Sequence, residues 1–507
     1  MKYFLVLCIA CIAYGVYLFS LHLLNGDLLF HTDIARDFLL IQDIVINHKL
    51  TLIGPRAGGI PGTFFGPIWL YLNLPAFLIG NGSPIVVGYF WLLLTLFGLV
   101  AVFYITKKVF TNEIAIFSVT LFIYTILFLA PGFTQSFAPV IVSPFLFYFV
   151  YLFIEKKRIR YLCWSAFICG LLIQFQPAFG SIMLFITFVI SLVVLIRRKQ
   201  IRYQLVWFIA FVPLSTYIIF ELRHNFLETK ALYNFIFHHN SSDYVQITYP
   251  EVAHNRLDGF LDSVNLTSIN TPVVNTIFVF LNIFIFYLWY KAKKSGQRTF
   301  VLLVYLYLIG FWCVTFLFKG SVWNYYYWGF NPILSIIFGS AYRRLDKRIF
   351  VISFTILMFF MIKNGIQTVN VWQNDLSGKD TSSWIVNKEV ADYIYKNTHE
   401  DFGYYVYSPD IFGYSIKYAM SYDDLNGEYS EHGSLCTKES TTYLIYEPTL
   451  ASSHTNPVFW KTASVSIKKK PIATKMIQDI KIEKYKLGSK RVKHPSDPTM
   501  VCDLSWR

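Results

Sequence analysis

Eleven long apolar runs dominate this 507-residue chain, and they leave few ways for it to fold. The first spans residues 3–24, directly after Met1-Lys2. At 1.5 Å per residue it is long enough to cross a ~30 Å hydrocarbon core. No small-residue cleavage site precedes Asn25, so it reads as a retained span rather than a signal peptide. The others lie near 84–106, 113–131, 137–154, 161–176, 178–196, 203–220, 273–290, 299–318, 329–342 and 349–363. Only 15% of residues are charged, 55% are hydrophobic, and the mean hydropathy is +0.47. A soluble enzyme carries nearer ~25% charge, so that class is excluded. Aromatics at 19% and the lack of a repeat period exclude disorder, collagen and coiled coil.

The basic residues fall between alternate runs: Lys107-Lys108, Lys156 to Arg160, Arg197 to Arg202, Lys291 to Arg298, and Arg343 to Arg348. The positive-inside rule places these loops in the cytoplasm, with the N-terminus. The formal charge of +14 then resolves into +16 on the inner side, −3 on the outer loops, +1 from Lys363 and zero for the tail from 364. The basic excess orients the chain in a membrane, and nucleic-acid binding is excluded as its purpose. Residues 67–79 (PIWLYLNLPAFLI) are apolar but short, with Pro75 inside. As a span they would reverse every later loop. They are expected to be re-entrant or to lie along the outer face.

Three regions are therefore expected outside the membrane: 25–83, 221–272 and 364–507. The expected fold is an all-α polytopic membrane domain of about eleven transmembrane helices (residues 1–363), with a catalytic outer loop at 25–83. Residues 364–507 form a small extracytoplasmic α/β domain. Its helix signals lie at 389–397 and 412–420, and its strand signals at 403–408, 442–446 and 480–485. Five of seven cysteines sit in apolar runs and behave as small hydrophobes. The one CxxC spacing, Cys8-Ile-Ala-Cys11, lies inside the first apolar run and has no second pair to complete a zinc ribbon. Cys436 and Cys502 lie in the tail, where an oxidising compartment permits a disulfide without requiring one.

Chemistry concentrates in the outer loops. The stretch His31-Thr-Asp-Ile-Ala-Arg-Asp37 places Asp33 and Asp37 at i and i+4 on one helical face, with Arg36 in reach of Asp33. This is either a base-and-anion site at the membrane surface or a solvated helix with one ion pair. Residues 54–67 are dense in Gly and Pro, suited to a lip around a groove. Gln174-Phe-Gln-Pro177 offers amides to a polar ligand, or to each other where the chain breaks at Pro177. Arg223 and His224 end the seventh run and are placed to bind phosphate, unless Glu221 simply pairs with Arg223. Lys319 opens an aromatic outer loop as a further phosphate ligand. His238-His239 has no partner at metal-ligand spacing. Asn240-Ser-Ser and Asn265-Leu-Thr are sequons that matter only in a glycosylating host. No Walker loop, GxGxxG or GxSxG occurs.

This order of features resembles the C-type polytopic glycosyltransferases. It is most similar to the bacterial protein O-mannosyltransferase-like and lipid A aminoarabinose-transferase-like branch. The likeness rests on His31 to Asp37, on Gly54-Pro55 through Phe65-Gly-Pro-Ile-Trp-Leu-Tyr71, on Phe220-Glu-Leu-Arg-His224, and on Val390-Ala-Asp-Tyr-Ile with Tyr404-Tyr-Val-Tyr-Ser-Pro409. The resemblance implies a polyprenyl-phosphate-linked sugar donor, an outward-facing site and a lipid, glycan or protein acceptor. It implies Asp33 as the loop carboxylate, with Tyr71 on the substrate side. Many members carry Asp-Glu where this chain has Asp33-Ile34, so Asp37 is the candidate for the second acidic role. Many bacterial relatives carry Gln-x-His-Pro where this chain has Gln174-Phe-Gln-Pro177.

The residues suit that chemistry by themselves. An acceptor hydroxyl needs a base in the transition state, and a carboxylate at the membrane surface serves. A departing polyprenyl phosphate gains negative charge that fixed cations stabilise. No cofactor is called for, and the paired carboxylates leave room for a divalent metal. The competing class is a transporter or lipid flippase without covalent chemistry. Such a protein should carry ionisable residues in mid-membrane and internal repeats, whereas these runs are almost free of charge. A scaffold or polymer-ligase partner is a third reading.

Overall fold

The computed structural model describes residues 1–57, 60, 62–237, 248–264, 272–318, 322–426, 429–449, 453, 455–488 and 490–503. Every apolar run is helical, because in hydrocarbon the backbone must satisfy its own N–H and C=O groups. The helices are α1 (Lys2–Leu24), α2 (Thr32–Asn47), α3 (Ile68–Ile79), α4 (Pro84–Val109), α5 (Asn112–Thr125), α6 (Ala138–Lys156), α7 (Ile159–Phe175), α8 (Pro177–Arg197) and α9 (Ser215–Arg223). Then come α10 (Leu227–Phe237), α11 (Tyr249–Val264), α12 (Pro272–Tyr290), α13 (Gly296–Phe316), α14 (Asn331–Ser340), α15 (Lys347–Val371), α16 (Trp384–Lys396) and α17 (Tyr414–Asn426).

The count of eleven full crossings needs correction. Among the described residues six helices are long and apolar enough to span: α1, α4, α6 with its leading turn from Gln135, α8, α13 and α15 with its continuation to Leu376. The run at 203–220 is broken into a 3-10 helix (Ile201–Phe211) and α9, bent by 70°, and counts as a seventh if the pair is one span. Helices α5 and α7 have 14 and 17 residues, and α14 has ten. Hydropathy measures how apolar a stretch is; caps and prolines decide where its helix stops. Thr111 caps α5 through the Ile114 N–H. Pro177 opens α8 and, having no N–H, cannot extend the ladder of α7. Helix α3 is 12 residues, about 18 Å at 1.5 Å per residue, too short to cross.

The chain divides into two compact units. The first comprises Met1–Ser20, Thr51–Trp69 and Trp91–Val369; the second comprises Leu21–Leu50, Leu70–Phe90 and Asn370–Arg507. The boundary expected at 363/364 is thus not a single cut, because α2 clusters with the tail. In the first unit α5 and α14 approach closely at Gly339, where a Cβ would lie 2.5 Å from Ser118 Oγ. Small residues permit such approach where lipid supplies no hydrophobic drive. Phe311 packs edge-on against Phe330 at 5.4 Å and at a tilt against Phe179 at 5.8 Å, joining α8 and α13.

The second unit is built on a five-stranded sheet. Its strands are β1 (Phe402–Tyr407), β2 (Gly433–Leu435), β4 (Thr441–Tyr446), β5 (Ala473–Ile477) and β6 (Ile480–Lys486); β3 (Thr437–Lys438) and β7 (Val492–Lys493) form a separate pair. The order is β2-β1-β4-β6-β5, parallel across β2, β1 and β4 and antiparallel across β4, β6 and β5. All six residues of β1 and of β4 are buried, as parallel strands covered on both faces require. Tyr405, Tyr407, Leu444, Trp460 and Tyr485 form a core beside the Cys436–Cys502 disulfide.

Candidate functional site

Helix α2 begins where an extended segment pairs with the start of the tail. Phe30 N–H donates to Ser382 O at 2.6 Å, and Trp384 N–H donates to Leu28 O at 3.1 Å. The fully buried Asp27 carboxylate fastens this junction. It accepts from Leu28 N (2.8 Å), Ile385 N (3.1 Å), Ser377 Oγ (2.6 Å), Gly378 N (3.2 Å) and Ser383 Oγ (2.8 Å). Phe30 stacks edge-on against Trp384 at 5.0 Å, and Phe38 against Tyr418 of α17 at 5.2 Å. These rings bury the apolar face of α2 and turn its acidic face outward.

His31 caps α2: its Nδ1 accepts from Asp33 N–H at 3.1 Å. Burial lowers the ring's pKa, which keeps it neutral and able to accept. Arg36 lies between the two carboxylates, 2.8 Å from Asp33 Oδ1 and 3.2 Å from Asp37 Oδ1. Burial alone would depress this guanidinium, but Asp37 and then Asp33 outweigh it and hold it above its ordinary value. The carboxylates are not equivalent. Asp33 is 56% exposed and Asp37 only 5%. Asp33 therefore faces solvent, while Asp37 anchors Arg36.

A polar chain leads from the start of α2 into the sheet. Thr32 Oγ1 donates to Asp410 Oδ2 at 2.5 Å, Asp410 Oδ1 accepts from Ser408 Oγ at 2.7 Å, and Ser408 Oγ is 2.5 Å from Glu447 Oε2. Ser408 and Glu447 directly follow β1 and β4. Burial pushes Glu447 up to about 7, against the Ser408 hydrogen bond, and pushes the neighbouring Lys417 down to about 8.

Within the first unit, a cavity of about 590 Å³ opens between the Gly/Pro loop, the α7–α8 break, α9 and α10. The loop is a hairpin: Gly54 N–H donates to Phe65 O (2.7 Å), Phe65 N–H to Pro55 O (2.9 Å) and Ala57 N–H to Thr63 O (2.9 Å). Gly54 is required there, since a Cβ would lie 2.6 Å from Gly66 O. Two side chains grip Phe64 at the cavity wall. Glu228 Oε1 accepts its N–H at 2.9 Å, and Tyr217 OH donates to its carbonyl at 2.9 Å. Burial pushes Glu228 up to about 7. Glu221 holds the first turn of α10 through the N–H groups of Glu228 (2.9 Å) and Thr229 (3.0 Å). The remaining wall is mostly apolar, including Ile173, Phe211, Leu214, Ile218 and Leu232.

The other candidates fall as follows. Gln174 is fully buried and donates to Pro213 O (2.7 Å) and Thr216 Oγ1 (2.9 Å), so it braces α7 against the turn before α9; Gln176, two residues on, reaches the cavity wall. Arg223 is exposed at the end of α9, with no ion pair among the described residues. The pairing with Glu221 weighed from the sequence is not formed, because Glu221 is turned to α10. His224 stacks on Phe220 at 4.1 Å and its Nδ1 lies 2.9 Å from Phe220 O. Tyr71 is half-buried in α3. Lys319, His238, His239, Asn240 and Asn265 lie outside the described residues. Among the described residues no group of three or more His, Cys, Asp or Glu is placed to hold a metal ion.

Sequence reasoning missed Asp27, Glu228 and the fully buried Arg256. Arg256 donates to Thr315 O (3.0 Å) and Phe318 O (2.8 Å), tying α11 to the end of α13. Nothing in the sequence singles them out: Glu228 stands near Lys230 and Arg256 near Asp258, as ordinary helix charges do.

No protein-family model matches this chain, and no curated protein matches it in sequence. Solved structures do match. The chain aligns with ArnT from Cupriavidus metallidurans bound to undecaprenyl phosphate at TM-score 0.57 and 12% identity, covering 94% of this chain and 97% of that one. The apo state of the same protein gives TM-score 0.56 with the same coverage. An Archaeoglobus fulgidus oligosaccharyltransferase aligns at TM-score 0.45 over 82% of this chain and 64% of its own, too distant to build on. The fold is that of the C-type polytopic membrane glycosyltransferases, the class that the outer-loop motifs resemble. The solved fold it matches over most of its length is that of ArnT.

Proposed function

We propose that this chain is an integral-membrane glycosyltransferase that moves a sugar from a polyprenyl-phosphate donor to an acceptor hydroxyl, on the outer face of the membrane. The observation that carries the reading is the end-to-end match to a fold solved with undecaprenyl phosphate bound. The outer face is supported by the basic loops and by the Cys436–Cys502 disulfide, since such bonds persist outside the cytosol.

Asp33 is the general base: the exposed carboxylate accepts the acceptor's hydroxyl proton as the oxygen attacks the anomeric carbon. Arg36, fixed by Asp37, holds one oxygen of Asp33 in place. The bond to the phosphate oxygen breaks on the opposite side, so the anomeric configuration inverts. Arg223, His224 and Lys319 are the side chains proposed for the donor phosphate, and Tyr71 for the substrate side. An apolar cavity of about 590 Å³ suits a prenyl chain. Gln174 acts by shaping that cavity's wall.

The test is sugar release from purified radiolabelled polyprenyl-phosphate donors by the detergent-solubilised protein. Asp33→Asn should lose about 10²–10⁴-fold in transfer with folding intact. Asp37→Asn should cost less. Arg223→Gln should weaken donor use. Full activity in Asp33→Asn would remove it as the base, and an absence of donor cleavage by the wild type would sink the whole reading.

A further inference from the structure

The tail beyond residue 363 is electrically neutral as a whole, with 17 basic and 17 acidic residues, yet its charge is sharply divided. Residues 461–493 hold eleven Lys/Arg and two Asp/Glu, a net +9, and the rest of the tail carries −9. The structure places this basic segment on the open side of the sheet. It contains β5, the edge strand, its partner β6, and the approach to both. Four residues of β5 are exposed. Only four of the eleven cations meet an acid among the described residues: Lys461 and Lys481 at Glu483, Lys486 at Glu400, and Arg491 at Glu439. The other seven, among them Lys468, Lys470, Lys475 and Lys484, have no acid partner among those residues.

The direction of the hairpin bears on what it meets. Its turn is bonded to the chain just past α15, through Gln478 Nε2 to Gly378 O at 3.1 Å. From Ile477 back to Lys470 the strand runs about 23 Å at ~3.3 Å per residue. The densest cations, Lys468 to Lys470, lie at the end away from that turn. Uncompensated charge spread over some 20 Å needs several anions in a row, more than one or two phosphates of a headgroup supply. Ten of the eleven cations are Lys, point charges suited to mobile phosphates rather than to bidentate recognition of a planar carboxylate.

We infer that the β5–β6 hairpin docks a linear polyanion with a phosphodiester in each repeat. The docking does not rest on the glycosyltransferase reading above.

The full-length protein in neutral phosphatidylcholine nanodiscs is titrated with three probes: linear poly(glycerol phosphate), neutral dextran, and vesicles containing phosphatidylglycerol. The wild type should bind the polymer saturably, and more weakly as salt rises. Neutralising four lysines that lack an acid partner together (K468Q, K470Q, K475Q, K484Q) should lower affinity at least tenfold and reduce the log–log salt slope by about three. Elution volume and an intact Cys436–Cys502 bond report that the variant is folded. Equal binding of dextran, or an unchanged variant, overturns the inference. Capture of vesicles but not polymer also overturns it and assigns the face to lipid. Donor cleavage with water as acceptor is measured on the same samples. Cleavage without polymer binding leaves the transferase and removes the docking surface. Polymer binding without cleavage leaves the surface and removes the transferase.

Discussion

Asp27 offers the sharpest test of how α2 is held, because its five hydrogen bonds can be separated by chemistry. In Asp27→Ala the two serine hydroxyls are free to rotate to other acceptors, and Gly378 N–H keeps Ser383 Oγ at 2.9 Å. The amides of Leu28 and Ile385 have no such alternative and are left buried without their acceptor. Each stranded buried donor costs about 1–3 kcal/mol, so the variant should lose roughly 3 kcal/mol at this junction. Asp27→Asn behaves differently. Its amide NH2 can face the serine pair, whose hydroxyls turn to accept, while its oxygen keeps both amides. That change should cost only about 1 kcal/mol, the difference between a charged and a neutral acceptor. Native-state hydrogen exchange at the Phe30 and Trp384 amides reads the result, since both lie in the adjoining backbone pair. Protection should fall by about 100-fold in the alanine variant and about five-fold in the asparagine variant. Unchanged protection in Asp27→Ala, or equal losses in the two variants, would refute the assignment.

Replacing Arg36 by Met should destabilise by about 3 kcal/mol, because buried Asp37 loses its guanidinium, while Asp33→Asn should stay within about 1 kcal/mol of wild type; thermal melts of the solubilised proteins compare them. Glu228, raised to about 7, holds a proton in the folded state that the unfolded chain releases near 4.5. Its contribution is therefore present at pH 4.5 and lost as pH rises to about 7. The pKa gap implies an upper limit of about 3 kcal/mol, and nearby water reduces this to about 1–2 kcal/mol. Glu228→Gln should melt above wild type at pH 8 and with it at pH 5. Cys436→Ser with Cys502→Ser opens a link of 66 residues, and the second unit should lose about 4 kcal/mol on the chain-entropy account; a pair that is already reduced in the mature protein would contradict both this and the outer placement of the tail.

Some of this protein was fixed by its sequence alone. Apolar runs must be helices in hydrocarbon, so their positions were legible from composition along the chain, as was the change to a mixed composition in the tail. The i, i+4 spacing of Asp33 and Asp37 put both on one face before any coordinates were needed. What composition could not supply was where each helix ends. Pro177 and the bend between Phe211 and Ser215 cut apolar stretches that hydropathy reads as continuous. Nor could spacing say which of two similar carboxylates is reachable. That depended on the rings of Phe30 and Phe38 meeting α17, a contact across nearly 400 residues. Asp27 and Glu228 look like ordinary loop acids in the sequence. Their roles arise from backbone donors at Ile385 and Phe64, and such partners are set by tertiary packing, because a buried carboxylate is stable only where distant amides converge on it.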